Sequence, residues 1–333
     1  MHQLHPVTLL EYFADIRSHS AGLALDTARH ASPYLTNDTA ERWLSDFEAE
    51  PDPFFVHYDE PHQPYYPPNS HLERFTGEIA MSADEAAEFA IEFHHNLDEM
   101  IADGCDLTDD EWEAIFVLYD AEIAYTDHMI GRLVDHVRSL DVGGTIFVVT
   151  ADHGELFGEY GLLAHSYVLD AAVTHVPMAV HGPDDLAADP DDIVQHADVI
   201  RTLVGRAGGD TEGMVEPDLR AESPSFAVSQ RGPVDFDDLL SYDPGFDADR
   251  FHRPTLTALR TDRFVYQRSG EGARPVRAPR RDDGRVRPVS RGRSRTRRGA
   301  LGVAGGERTA GRRGSCRRLL AVEERQLEDL RYL

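Results

Sequence analysis

An α/β fold, with a mostly parallel sheet sandwiched by helices and a small antiparallel sheet and helix at the C-terminal end, is what the order of periodicities predicts. Three observations carry it. Short apolar runs that suit strands, FFVHY at 54–58, TIFVV at 145–149 and PMAVH at 177–181, alternate with longer stretches of helical period. The runs are apolar on consecutive residues, as strands covered on both faces are. Further on, PTLTALRTDRFVYQR places two short strand patterns around Thr261-Asp262, a hairpin signature on a separate small sheet.

The helices have start signals. Asp38 with Glu41 forms a capping-box pattern ahead of Ala40, Trp43, Leu44 and Phe47. Ser82 with Glu85 opens a second helix, carrying Phe89, Phe93, Leu97 and Ile101 and stopping at Gly104. Thr108 with Glu111 opens the third and longest, with Trp112, Ile115, Tyr119, Ile123, Ile130, Val134 and Val137 predicted to face inward. The expected division is an α/β core over 1–250 and a C-terminal subdomain over 251–333.

Charge narrows the function classes. The 333 residues carry a formal charge of -27, and all 33 basic residues are arginine, with no lysine anywhere. Such a chain looks like a protein of a salt-saturated cytosol, in which dense carboxylates keep the surface hydrated. It argues against nucleic acid as a specific partner, since phosphates are repelled. No stretch approaches the ~20 apolar residues of a membrane span, and the opening MHQLHPVTLLEYFADIR has no basic n-region. A cytoplasmic location is therefore expected, although an export signal ahead of Met1 would change it. Cys105 and Cys316 fit neither a disulfide framework nor a zinc spacing, and Cys105 reads as a half-buried thiol.

Residues 273–318 break the composition, with 16 arginines against 3 acids; the rest of the chain has 17 arginines against 57 acids, a charge of -40. Few large apolar residues occur there, so the stretch is expected to be irregular Arg-rich chain. A basic nucleic-acid arm is one reading. A shifted reading frame is preferred, because Asp and Glu codons of GC-rich DNA read out of phase spell arginine and threonine.

The chemistry concentrates where strands end. Asp152 and His153 directly follow the apolar run 145–149, and Gly154 lets the chain turn away. Carboxyl ends of strands form the ligand crevice of an open α/β sheet. An Asp-His pair suits calcium, magnesium, manganese or zinc. His57 ends the run 54–58 and reads as a packing residue. His62 lies in a loop where Pro61 and Pro64 restrict the backbone around it. His165 lies twelve residues beyond His153.

In order, FFVHYDEPHQPYYPP, YDAEIAYTDHMIGRLVDHV, TIFVVTADHGELFGEYGLLAHS and THVPMAVHGP resemble the sulfatase family of the alkaline-phosphatase superfamily. The likeness extends to QHADVIRTLVGRAG, LRTDRFVYQ and the final LEDLRYL, covering roughly residues 36 to 270 plus the last dozen. The resemblance implies an alkaline-phosphatase-like sandwich and one divalent metal, most often Ca2+. It also implies a formylglycine, made from Cys or Ser, that attacks the sulfur of a sulfate ester on a small molecule or glycan. By the same resemblance Asp152 and His153 match two metal ligands, His62 matches the sulfuryl-contacting histidine of a Pro-His-x-Pro-Tyr loop, and His165 falls near a sulfate-binding lysine. A metal with cationic side chains would stabilise the charge that gathers on sulfuryl oxygens, and a histidine can hand a proton to the leaving alkoxide.

Two family features do not occur in this sequence: the paired aspartates of the first metal strand and the Cys/Ser-x-Pro-x-Arg nucleophile segment. The chain therefore reads as the C-terminal portion of such an enzyme, truncated and inactive alone, with a separate N-terminal half as a possible partner. Two alternatives stand beside it: a phosphodiesterase or phosphonate monoester hydrolase of the same superfamily, and a non-catalytic metal-binding remnant.

Overall fold

Helix α1 (Ser32–Ser45) begins the part of the chain that the computed structural model describes, namely residues 32–45, 53–75, 79–140, 142 and 144–277. Its start lies six residues ahead of the capping box expected at Asp38. Pro33 explains this, because its fixed φ and missing N–H favour the first helical turn. Asp38 instead sits inside the helix and pairs with Arg42 four residues on. Ala40 and Leu44 are buried, but Trp43 is 56% exposed; Phe47 lies outside the described residues.

The other two capping boxes are present. Ser82 accepts from the Glu85 N–H while Glu85 accepts from the Ser82 N–H, starting α3 (Ala83–His95) after the single turn α2 (Asn69–Leu72). The helix expected to run to Gly104 breaks at Asn96, and α4 (Leu97–Ala102) follows. Thr108 and Glu111 make the same reciprocal pair ahead of α5 (Asp109–Ser139).

The buried face of α5 differs from the apolar stripe predicted for it. It runs through Ala114, Ile115, Leu118, Ala121, Glu122, Tyr125, Thr126, Met129 and Val137, whereas Ile123 is 44% exposed. Ala114, Ala121, Glu122 and Thr126 are interspersed with its larger apolar residues, and α1, α2 and α3 all pack against the helix.

The strands are short. β1 (Phe147–Thr150) pairs antiparallel with β4 (Met178–His181), and β2 (Leu156–Phe157) pairs antiparallel with β3 (Leu163–Ala164). The parallel neighbours expected for the sheet are not among the pairs of the described residues. Between β1 and β4 the chain reverses through the β2–β3 hairpin and the one-turn α6 (Ala171–Thr174), which brings it back against β1. Residues 54–58, expected as a strand, make no ladder among the described residues. The segment does alternate, with Phe54 and Val56 packed near Ala40, Leu44 and Val137 while Phe55 is 88% exposed.

The chain divides into two compact units. The first comprises residues 1–185, 228–259 and 265–276, and the second 186–227, 260–264 and 277–333. In the first, Phe93, Ile101, Ile115, Leu118, Leu156, Leu162, Leu163 and Phe236 form the core. Cys105, in left-handed backbone at φ 61°, is 8% exposed and thus more buried than expected. Its N–H donates to Met100 O at 2.8 Å, closing the turn after α4. The C-terminal sheet has the order β5 (Ala227–Arg231), β6 (Leu256–Arg260), β7 (Phe264–Ser269), β8 (Gly272–Arg277), after the short helix α8 (Asp237–Tyr242). The hairpin expected at Thr261-Asp262 is present, with Thr261 N–H donating to Phe264 O at 2.8 Å. β8 takes in residues 273–277 of the Arg-rich stretch; residues 278–318 and Cys316 lie outside the described residues.

The second unit is organised by α7 (His196–Arg206). Thr202 accepts from the Leu219 N–H at 2.9 Å, and Arg220 grips Asp218 with two nitrogens, at 2.9 and 2.6 Å. That fork holds the Asp218 carboxyl down to about 2.

Candidate active site

Beyond β1 the backbone must pass within touching distance of α6. Gly154 N–H donates to Val173 O at 2.7 Å, and a β-carbon at 154 would lie 2.0 Å from Ala172 O. Only glycine fits so close an approach. This contact fixes where Asp152 and His153 leave the strand.

His153 is oriented by its own loop. Its Nδ1 lies 2.9 Å from Gly154 O, and a carbonyl can only accept, so Nδ1 carries the proton. Nε2 lies on the other side of the ring, 3.7 Å from Asp152 Oδ2. Asp152 is itself steadied by the His153 N–H, which donates to Oδ1 at 3.0 Å. His62 is held in the same way: its Nδ1 donates to Gln63 O at 2.8 Å, which leaves Nε2 on the far side of the ring. The Glu60-Pro61 and Gln63-Pro64 bonds on either side are cis.

His165 enters from the far strand of the β2–β3 hairpin, directly after Ala164 in left-handed backbone at φ 62°. Such a conformation costs a non-glycine residue about 1 kcal/mol, and strain of this kind gathers at functional sites. The His165 ring lies 3.8 Å from that of His153, stacked, and 5.9 Å from that of His62, edge on. The structure thus brings together the four residues singled out in the sequence. His57 stands apart, its side chain 61% exposed, 3.6 Å from Asp59 and stacked on Phe55.

Sequence reasoning missed the residue that sets the charge of the cluster. Glu155, with a side chain only 6% exposed, accepts from His165 Nδ1 at 2.9 Å. That hydrogen bond raises the His165 pKa above its usual 6.5, burial opposes it, and the charges of Glu155 and Asp152 add to the rise. The other Glu155 oxygen accepts from the Tyr65 hydroxyl at 3.4 Å, and burial keeps that phenol well above its usual range. A signal for Glu155 was available: in a chain without lysine, a histidine serving as a cation needs a buried carboxylate close by, and Glu155 is the first acid after His153.

As a metal centre the arrangement is one-sided. Asp152 Oδ2 and His153 Nε2 are suitable donors in contact range of a common ion. Among the described residues no group of three or more His, Cys, Asp or Glu side chains could hold a metal. The pair fits one side of a coordination shell, and further donors are needed to close it. The cluster also lies open, with the Asp152 side chain 73% exposed and His62 exposed.

Comparison with known proteins agrees with the fold. Over 161 residues the chain is 26% identical to an uncharacterised sulfatase of Escherichia coli K12, a match covering 47% of this chain and 32% of that protein. Over 103 residues it is 32% identical to arylsulfatase K of Canis lupus familiaris, covering 30% of this chain and 19% of that one. The matches thus span about a third of the bacterial relative's length. Among solved structures, the phosphonate monoester hydrolase of Agrobacterium radiobacter aligns at TM-score 0.50 and 22% identity, over 74% of this chain and 53% of that one. A protein solved with its substrate D-glucosamine-2-N,6-O-disulfate aligns at TM-score 0.51 and 15% identity, over 74% and 63%. These neighbours share the alkaline-phosphatase-like α/β fold. The sulfatase family model matches residues 12–209, more than half of the sequence, and the chain belongs to the sulfatase family.

Proposed function

We propose that this chain supplies the metal-ligating and leaving-group side of a sulfuric-ester hydrolase, and that it does not turn over substrate alone. One observation carries the reading: His165 Nδ1 donates to buried Glu155, which favours the protonated ring, beside His153 and His62 and on the rim that also presents Asp152. A sulfate ester carries its charge on non-bridging oxygens, which such a rim attracts. His165, held by Glu155 through Nδ1, keeps Nε2–H as a second donor to a sulfuryl oxygen or a departing alkoxide. His62 presents Nε2 to the same space. Asp152 and His153 would hold a divalent metal, Ca2+ by family likeness, with Mg2+, Mn2+ or Zn2+ as alternatives. When bound, the metal would withdraw charge from the sulfuryl group.

The proposed inactivity rests on two facts. The sequence contains no Cys/Ser-x-Pro-x-Arg segment from which a formylglycine could be made. Among the described residues the cluster also lies open at Asp152 and His62, and hydrogen bonds and charges stabilise a transition state far less in water than in a dry pocket. Further chain, joined to this sequence or separately encoded, would supply both the nucleophile and the cover.

The test is calorimetry with CaCl2 and with sulfate in molar KCl, alongside assays of 4-nitrophenyl sulfate and a 4-nitrophenyl phosphonate monoester. Calcium and sulfate binding without turnover is the expected result, with turnover appearing once a polypeptide bearing the aspartate pair and the formylglycine segment is added. Turnover by the chain alone, abolished by Asp152→Ala, would overturn the proposal. Restored activity confined to the phosphonate would favour the phosphonate monoester hydrolase reading. No calcium binding and no rescue would leave a non-catalytic remnant.

A further inference from the structure

The face of α5 that packs against the His62 segment carries an acid where a packing residue belongs. Glu122 is 2% exposed, between Leu118 and Ala121 on one side and Tyr125 and Thr126 on the other. Its Oε1 accepts from the Tyr66 N–H at 2.7 Å. Its Oε2 is buried and has no hydrogen-bond partner among the described residues. The nearest charge acting on it is another buried acid, Glu60, which is 9% exposed and lies two residues before His62.

We infer that Glu122 is carried as the neutral acid in the folded chain, and that its ionisation at raised pH releases the 59–66 segment with His62 from α5. Among the described residues, an ionised carboxylate in that position would have one amide donor, no cation acting on it and a like charge. Taking up a proton is the least costly escape for so buried a group. Burial and the Glu60 charge both push Glu122 well above the usual glutamate range, against the pull of the Tyr66 amide.

Among the described residues, the groups facing α5 come from α1, α2, α3 and the 59–66 segment; α3 brings His94 and His95 in its last turn. From α2, His71 reaches Tyr125 and His128, with ring separations of 5.1 and 5.6 Å. From α1, Glu41 pairs with Arg132 at 3.8 Å, nearly three turns along the helix from Glu122. From the 59–66 segment itself the contributors are Glu60 and the Tyr66 amide, and Glu60 is the one charge that acts on Glu122. Glu122 keeps the Tyr66 amide satisfied, and through it the loop that sets the His62 ring. On ionisation it is burial and repulsion from Glu60, not loss of the amide bond, that would drive the segment away. Glu122 is thus a positioning residue, acting on His62 through the backbone.

The experiment uses the full chain with 13C-carboxyl-labelled glutamate and 15N-labelled histidine, titrated by NMR at constant molar KCl, beside Glu122→Gln and Glu60→Gln. The glutamine at 122 retains an acceptor for the Tyr66 amide, so the fold should survive. The expected result is one carboxyl resonance, absent in Glu122→Gln, that titrates well above 4.5. The His62 ring signals should shift with the same midpoint, that midpoint should fall in Glu60→Gln, and the His62 transition should vanish in Glu122→Gln. Titration of that resonance in the ordinary glutamate range, or His62 signals indifferent to it, would overturn the inference. None of these readouts requires metal or turnover, so failure here leaves the proposed hydrolase reading untouched.

Discussion

The rings of His153 and His165 stack at 3.8 Å with 27° between their planes, and their two Nδ1 atoms are tied in different ways. His153 donates to a backbone carbonyl, while His165 donates to the Glu155 carboxylate and is drawn toward the cation. Adjacent imidazoles are thereby assigned opposite tasks. Because the folded pKa of His165 is raised, its bond to Glu155 contributes stability that is full below about 6.5 and is lost as pH rises through the raised value. Glu155→Gln should cost about 1–2 kcal/mol at pH 6 and less at pH 9. Thermal unfolding at both pH values, with 15N titration of His165, measures it; an unchanged His165 midpoint would contradict the assignment.

Two glycines should respond in opposite directions to alanine. At Gly154 a β-carbon meets Ala172 O at 2.0 Å, so Gly154→Ala must push the Asp152-His153 turn from α6. A loss of about 1–3 kcal/mol, with weakened sulfate binding, is the expected outcome. Gly131 lies within α5 with nothing within 4 Å of a built β-carbon. Gly131→Ala should stabilise the chain by about 0.8–1 kcal/mol, the helix-propensity difference. Denaturant midpoints for the pair provide the check.

Thr108 accepts from the Glu111 N–H and starts the 31-residue helix on which the first unit is assembled. Thr108→Ala should lower unfolding free energy by about 1 kcal/mol, and Thr108→Ser should restore most of it. Equal losses in both variants would show that the methyl group, and not the cap, matters at this position.

Salt should matter more than for an ordinary chain. With a charge of -27 and no lysine, self-repulsion extends over the Debye length, ~30 Å at 0.01 M and ~3 Å at 1 M. The unfolding midpoint should climb with KCl up to the molar range. A midpoint indifferent to KCl would rule out the salt-cytosol reading of the composition.

What could be read from the sequence was whatever is decided locally. The caps at Ser82 and Thr108 need only residues three apart, and both formed. Asp38 obeyed the same spacing yet lost to Pro33, because a helix that has already started has no use for a second cap. Strand pairing depends on distant chain, so FFVHY had the right composition and makes no ladder among the described residues. Of the four candidate residues, Asp152 and His153 were visible after a strand and His62 between prolines, whereas His165 came from the family resemblance, and Glu155 and Glu122 were not visible at all. An apolar count passes over a buried acid, and the partners that make each acid meaningful lie 10 and 56 residues away in sequence.

The turn after α4 leaves the chain with an internal clock. Burial pushes the Cys105 thiol up to about 12, so almost none of it is thiolate at neutral pH and the folded form resists alkylation. In a Cys316→Ser background, any maleimide capture would count excursions in which the α4–α5 corner opens. Followed at increasing reagent concentration, the rate would separate the frequency of those excursions from their equilibrium population. A single sulfur would then time the breathing of the scaffold beneath the histidines.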